Sequence, residues 1–415
     1  MVLLFVAAII YSIDKGIMGV LAEPIRQAIG VSDSQMGLLL GMAYSLLSGV
    51  LGLGLGWLVD KGSRRMVLIG GLLLWSLATL GCGLAHNFGQ LFVLRMLVGL
   101  GESALAPAAL SLIADLFAPQ QRGRALSCYF IGASFGMGLA SAIPGWVVGH
   151  ALILDLPVFG PTVPWRSAFV LCGFAGPVLA ALMLTIREPA RHGLPASGGL
   201  ATGEKLRRIW VLRGFLLPLY VAFSLFYLVF LGVSMWTSAF ITRRYGLPLP
   251  AFSAALGLML LVSGFAGYAV SGFLTDALRR RHPRGRAALL MVLPLLALPS
   301  TLATFAPQAH LALLLLASVS FISPIINVAT NATLQEAVPG DMRGFSYSLL
   351  ALTAAIISGV GGPYVLALVS QHLAGDPAGL GKAFMVVGIP ALLCSSAMFM
   401  LAGRRIAPAS QVATL

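Results

Sequence analysis

Long uncharged, mostly apolar runs organise this chain. Residues 35–59, 66–86, 125–149, 167–186, 214–242, 245–275, 287–305, 311–335, 344–371 and 383–403 contain no Asp, Glu, Lys or Arg. Two more apolar stretches, roughly 2–28 and 88–117, are interrupted by isolated charges. A helix of ~20 apolar residues crosses the ~30 Å of hydrocarbon in a bilayer, so each stretch is long enough to span. The pattern predicts twelve membrane-spanning helices, numbered here as spans 1–12 in chain order. No period-two alternation suggests a barrel, and backbone groups in lipid must be satisfied within their own segment. The expected fold is an all-α integral membrane protein.

Composition removes the alternatives. Of 415 residues, 59% are hydrophobic and only 9% charged, where soluble domains carry about 25% charged residues; the mean hydropathy is +0.95. A soluble domain and a disordered chain are both excluded. The formal charge of +13 invites a nucleic-acid reading, but the basic residues form no single soluble face. The connections after spans 2, 4, 6, 8 and 10, with the C-terminal segment, hold nineteen of the 26 Lys and Arg residues. The opposite connections hold five: Arg26, Arg166, Arg243, Arg244 and Lys382. By the excess of Lys and Arg on cytoplasmic loops, both termini are expected in the cytoplasm, with the protein in the cell (inner) membrane. The charge reports topology, and no nucleic-acid partner is expected.

The first apolar run extends past any plausible cleavage site and carries Asp14-Lys15, so it reads as a span and not as a leader. The chain begins almost inside that span, and a short tail ahead of it is expected. Cys82, Cys128, Cys172 and Cys394 lie far apart without metal-ligand spacing. They read as small buried hydrophobes, and no metal or cofactor is expected. The longest charged connection, 187–213, contains Pro189, Pro195 and Ser197-Gly198-Gly199. It divides the chain into an N-terminal bundle (1–186), a cytoplasmic linker (187–213), a C-terminal bundle (214–403) and a tail (404–415).

The halves repeat. Gly56-Trp57-Leu58-Val59-Asp60 recurs as Gly272-Phe273-Leu274-Thr275-Asp276, and Asp115, Arg122 and Gly123 recur 221 residues on as Glu336, Arg343 and Gly344. Two six-helix repeats joined by a basic loop are an architecture of secondary transporters that work by alternating access. The segment from Gly56 through Asp60, Lys61, Arg64 and Arg65 resembles the loop signature of the major facilitator superfamily. Arg95, Gly99 and Gly101 resemble its second signature. Ile13-Asp14-Lys15, Gly101-Glu102-Ser103, the run Pro107–Asp115 and Arg187-Glu188-Pro189 resemble bacterial members of the spinster branch, which includes transporters of sphingosine-1-phosphate and lysophospholipids. Two features depart from that pattern: Lys15 stands where the family usually has Arg, and span 5 has Gly132, Gly136 and Gly138 without the Gly-Pro of the antiporter signature.

Asp60 is expected where a helix enters the cytoplasm, beside Arg64 and Arg65, placed to lock that side shut in one state. The repeat extends the gating set to Gly56, Arg64, Arg65, Asp115, Arg122, Asp276, Glu336 and Arg343. Gly132-Ala-Ser134-Phe-Gly136 matches a nucleophile-elbow pattern, but it lies within a span, where small residues serve helix approach. The six histidines fall at helix ends or in loops. No enzyme active site is therefore expected.

Formal charges lie deep only in spans 1 and 4: Asp14, Lys15, Arg95 and Glu102. A charge at mid-bilayer costs ~2.5–3.5 kcal/mol even on insertion scales, so these residues should face a cavity and have partners. Arg95 and Glu102 are two helical turns apart on one face. The resemblance implies that spans 1 and 4 line a central cavity. In the second half, Tyr220, Phe223 and Tyr227 share a face of span 7, while Asn327, Asn331 and Gln335 form a polar stripe on span 10. Charge on one wall, with aromatic and neutral polar groups on the other, suits an amphipathic substrate. The expectation is a proton-coupled, monomeric transporter of an amphipathic lipid or related organic anion. Lys15 and Arg95 would hold the head group, Glu102 and Asp14 would titrate, and Tyr220, Phe223, Tyr227, Asn327 and Asn331 would contact the substrate. The alternative within the class is a multidrug or small-carboxylate exporter.

Overall fold

The computed structural model describes residues 1–49, 62–156, 160–185, 188, 202–282, 285–339, 342–373, 376 and 378–405. Its described apolar runs are almost entirely helical. Among the described residues, eleven helices are long and apolar enough to cross a membrane. The expected span 2 is described only to residue 49, and Gly56 and Asp60 of the loop signature lie outside the described residues.

Spans 1 and 4 are broken, each for a local reason. Span 1 runs Val2–Val20 and is followed, after Leu21, by a separate short helix Ala22–Ile29, which Gly30 ends in a left-handed conformation (φ 72°). Span 4 is two helices, Phe88–Glu102 and Leu105–Leu116. Pro107 has no N–H, and its ring clashes with the carbonyl four residues earlier, which places the break at Ser103. Glu102 therefore ends a helix in mid-span. Span 2 opens with a capping box, the Ser32 hydroxyl accepting from the Gln35 amide at 3.2 Å and the Gln35 side chain accepting from the Ser32 amide at 2.9 Å. It then widens into a π-turn over Leu38–Met42. A second π-turn, Ala355–Val360, interrupts span 11.

The connection between spans 5 and 6 departs from the all-helical expectation with a two-residue antiparallel pair, Asp155–Leu156 against Gly160–Pro161. It lies between spans, where water satisfies open strand edges. The 187–213 connection contains a helix, Thr202–Val211.

The structure divides into two compact units, the first comprising Met1–His192, Ser234–Val262 and Pro363–Leu380, the second Gly193–Val233, Ser263–Gly362 and Gly381–Leu415. Spans 7, 8 and 11 thus each contribute one end to the first unit. Within that unit, span 1 packs mainly on span 5, and span 3 on span 6. Small residues make the first of these contacts possible: a Cβ at Gly136 would lie 2.4 Å from the Ile9 carbonyl oxygen, and one at Gly132 would lie 2.8 Å from that of Phe5. The elbow-like motif is therefore a helix-packing surface. Cys82 and Cys172 are buried, but Cys128 is only partly so and Cys394 is exposed. This corrects the expectation that all four are core residues, because an apolar side chain on the outward face of a span needs lipid and not protein around it.

Candidate functional site

The intramembrane charges of spans 1 and 4 meet in the first unit. Asp14 is 0% exposed, and Arg95 and Glu102 are 2% exposed. Neither Asp14 oxygen has a hydrogen-bond partner, nor do Arg95 Nε and Nη1 or Glu102 Oε1. The Trp75 indole and Thr79 hydroxyl of span 3 lie beside Asp14, yet neither makes a hydrogen bond of normal geometry to it. Asp14 thus faces span 3, while Lys15, one residue and about 100° further round the helix, reaches the Tyr11 hydroxyl at 3.5 Å and lies 5.6 Å from the centre of its ring.

A residue that sequence reasoning passed over joins the charges of span 4. Tyr44 on span 2 donates its hydroxyl to Glu102 Oε2 at 2.7 Å, and its ring lies 5.5 Å from the Arg95 guanidinium carbon. Arg95 and Glu102 do occupy one face, as their spacing predicts, but through a shared tyrosine. The close approach has a backbone cause, since a Cβ at Gly99 would sit 2.1 Å from the Tyr44 carbonyl oxygen. Such partly satisfied buried charge is expensive in a static protein and gives a cluster capacity to rearrange or to accept a ligand.

The second unit holds the aromatic and amide groups. Phe223 and Tyr227 stack with centroids 4.4 Å apart. Asn327 donates to the Tyr227 hydroxyl at 3.3 Å, and the Asn331 amide donates to the Asn327 carbonyl oxygens at 2.9 and 3.1 Å. Tyr220 is buried and spends its hydroxyl on the Ser346 carbonyl at 2.9 Å. Phe223, Tyr227, Asn327 and Asn331 are therefore one connected surface, with Tyr220 anchoring span 7 to span 11.

The signature loops form ion pairs in both units. Arg64, the first residue of span 3 (Arg64–Leu84), pairs with Asp115 at the end of span 4. Its amide donates to Glu188 Oε1 at 2.7 Å, and the Ser63 hydroxyl donates to the same carboxylate. Burial pushes the Glu188 carboxyl up, but these bonds and the Arg64 charge outweigh it and hold the group below its ordinary value. In the second unit, Arg286 at the start of span 9 pairs with Glu336 at 3.0 Å, and Arg279 adds a contact at 3.3 Å. Arg122 donates to the Phe117 carbonyl and Arg343 to the Val338 carbonyl, each at 3.2 Å and again 221 residues apart. Both arginines thus cap the end of the span before them. Arg65 donates to the Leu184 carbonyl at 3.4 Å, and Asp276 is exposed.

A further charged group closes the other end of the first unit. Arg243, in the last turn of span 7, grips Asp33 with both guanidinium nitrogens at 2.7 and 2.8 Å and Glu23 at 2.7 Å. Arg26 also contacts Glu23 at 2.7 Å, and the Ser370 hydroxyl of span 11 reaches Asp33 at 3.1 Å. Burial pushes both carboxyls up, and their hydrogen bonds with the arginines outweigh it, so both lie below their ordinary values. These residues line a cleft of about 510 Å³. The sequence marks Arg26 and Arg243 only as topology charges and gives no sign of Glu23 or Asp33 as their partners, since nothing in the pattern pairs residues 210 positions apart. Among the described residues, no cluster of His, Cys, Asp and Glu could hold a metal ion.

The chain is 28% identical over 400 residues to an MFS-type efflux pump of Mycolicibacterium smegmatis, covering 95% of this chain and 89% of the relative. It is 25% identical to human protein spinster homolog 1, covering 91% and 74% respectively. Its fold matches the crystal structure of a bacterial homolog of the human lysosomal transporter spinster, in an inward-facing and unoccupied conformation. That match has a TM-score of 0.81 at 22% identity and covers 98% of this chain and 96% of the other. The family model of the Major Facilitator Superfamily matches residues 3–363. With twofold-repeated signature loops and charged spans 1 and 4 on a multi-pass helical fold, this chain belongs to the Major Facilitator Superfamily.

Proposed function

We propose that this protein is a proton-coupled secondary transporter that moves an anionic amphipath, of the lysophospholipid or sphingoid-phosphate kind, by alternating access in the inner membrane, with both termini cytoplasmic. The observation that carries the proposal is the cluster of Asp14, Arg95 and Glu102, buried in the first unit with polar atoms left unsatisfied, next to the partly buried Lys15. Lys15 and Arg95 supply the charge complement of a phosphate or carboxylate. Glu102 and Asp14 supply groups whose protonation compensates those cations when the anion leaves. An opposite charge favours a carboxylate's ionised form and burial disfavours it, so anion binding by the cations and proton binding by the acids are linked. The stacked Phe223–Tyr227 pair with Asn327 and Asn331 is an aromatic and neutral polar surface within the second unit, of the chemistry that an amphipath's apolar body would need. Arg64–Asp115 and Arg286–Glu336 are proposed to hold one side, with Asp60 and Asp276 near them in the chain. The Arg243 group would hold the other.

The smegmatis relative's name, an efflux pump, favours export, and the second reading is export of drugs or small carboxylates through the same cluster. Counter-flow in proteoliposomes separates the two. Vesicles preloaded with unlabelled oleoyl-lysophosphatidylglycerol are expected to take up labelled lysolipid transiently, and vesicles preloaded with benzoate are not. Benzoate counter-flow without lysolipid counter-flow would select the second reading, and counter-flow of neither would contradict both.

A further inference from the structure

We propose that Tyr44 is the positioning residue that ties the protonation of Glu102 to the presentation of Arg95. This rests on the reading of Glu102 as the proton carrier, and the geometry that supports it is independent of that reading. One phenol touches both groups: its hydroxyl donates to Glu102 Oε2 at 2.7 Å, and its ring lies 5.5 Å from the Arg95 guanidinium carbon. No ion pair within 4 Å connects Arg95 to Glu102, so the tyrosine stands where a direct pair would otherwise form.

Three backbone features fix it there. Gly99 lets spans 2 and 4 meet at the Tyr44 carbonyl. The π-turn Leu38–Met42 ends two residues before it, and π-turns re-aim the residues around them and recur at functional sites. The Ser48 hydroxyl donates to the Tyr44 carbonyl at 3.0 Å.

A phenol has a single hydrogen to donate. While Glu102 is ionised, the carboxylate holds that hydrogen, and the ring is fixed beside Arg95. When Glu102 accepts a proton, the carboxyl no longer needs the donor, and the hydroxyl can turn to an anionic head group at Arg95. The proton goes to Glu102, and no covalent bond other than its O–H forms or breaks. The other titratable or charged groups around Glu102 and its tyrosine are Asp14, Lys15 and Tyr11 of span 1 and Arg95 of span 4. None of these donates to Glu102 in place of Tyr44.

The test reads the Glu102 carboxyl directly, without a transported ligand. Infrared difference spectra of the purified protein are titrated with pH, and the protonated-carboxyl band that Glu102→Gln removes is followed. A hydrogen bond to a charged group contributes about 1.5–3 kcal/mol, and 1.36 kcal/mol is one pH unit. Tyr44→Phe, which keeps the ring, should therefore move the midpoint of that band alkaline by about one pH unit or more. A fluorinated tyrosine at position 44 keeps the shape and is a stronger donor, so it should move the midpoint acid. The pH profile of proton uptake by pyranine-loaded vesicles challenged with oleoyl-lysophosphatidylglycerol should shift in the same directions. Tyr44→Leu, which also removes the ring, should in addition weaken the apparent lysolipid affinity about fivefold, the scale of a partly desolvated cation–π contact.

Midpoints identical to wild type in both the Phe and fluorotyrosine proteins would overturn the proposal. So would the absence of any Glu102-dependent band. A shifted band without lysolipid-driven proton uptake would uphold Tyr44 and count against the lipid reading alone.

Discussion

Arg95→Ala is expected to lower lysolipid transport about a hundredfold while leaving a folded, monodisperse protein. A charge-assisted hydrogen bond contributes about 1.5–3 kcal/mol, and a guanidinium can hold a phosphate through two at once, so a loss of ~3 kcal/mol or ~100-fold follows. The structure adds a second reason. Arg95 shares its buried site with two acids, and without the cation both favour their neutral forms, so proton release is impaired along with anion binding. Arg95→Lys should restore part of the rate, because an ammonium keeps the charge without the planar fork. Lys15→Ala should cost less, since Lys15 is only partly buried and lies against Tyr11. Initial rates of labelled lysolipid uptake, normalised to reconstituted protein, decide it. Wild-type rates in Arg95→Ala would remove the head-group assignment.

Arg243→Ala should open the opposite end of the first unit. Arg243 is the only described residue that contacts Asp33 at two nitrogens and Glu23 as well. Its removal leaves two largely buried carboxylates with Arg26, itself about a third exposed, as their remaining described cation, at 2.7 Å from Glu23 but 3.8 Å from Asp33. Breaking a buried pair costs ~3–5 kcal/mol. Partial exposure and the surviving Arg26 reduce this to about 2 kcal/mol, a roughly 30-fold change in the closed population. Spin labels at the exposed positions Ala28 and His372, in a cysteine-free background, should report a longer distance in Arg243→Ala.

The pH dependence has a definite sign. Glu23 and Asp33 are held below their ordinary values, so their stabilisation is fully present above the usual carboxylate range and is lost as pH falls through the lowered values. The wild-type distance should therefore be constant from about pH 5 to pH 8 and lengthen only in stronger acid. A distance unchanged by Arg243→Ala, or one that lengthens between pH 8 and pH 6, would contradict the latch.

The spans were legible because charge is costly in lipid, so its absence over ~20 residues leaves few alternatives. The repeat was legible for a similar reason: Asp115 and Glu336, Arg122 and Arg343 are charges in a chain with few of them. Their equivalent carbonyl bonds, at 3.2 Å in both units, give that repeat a physical role as helix-end caps. The same signal missed Tyr44 and Tyr11, which are neutral and sit in apolar runs where an aromatic residue is ordinary. It also missed the partners of Arg64. Asp115, 51 positions away, and Glu188, 124 positions away, both pair with Arg64, while the expected partner Asp60 lies outside the described residues. The Arg243 latch was out of reach because its members lie at the ends of spans 1, 2, 7 and 11, and only folding brings them together. The broken span 4 was implicit in Pro107, but its consequence, Glu102 at a helix end, depends on where the helix restarts.

The central claim is that Glu102 carries the proton that drives transport. Wild-type and Glu102→Gln protein, reconstituted at equal density, should be compared for lysolipid counter-flow at equal pH on both sides and for uptake or efflux driven by a pH gradient. Glutamine mimics the protonated acid, so counter-flow should persist within a few-fold while the response to the gradient disappears. Asp14→Asn should weaken that response less completely. Gradient-driven transport at the wild-type rate in Glu102→Gln would contradict the account and move the proton to Asp14.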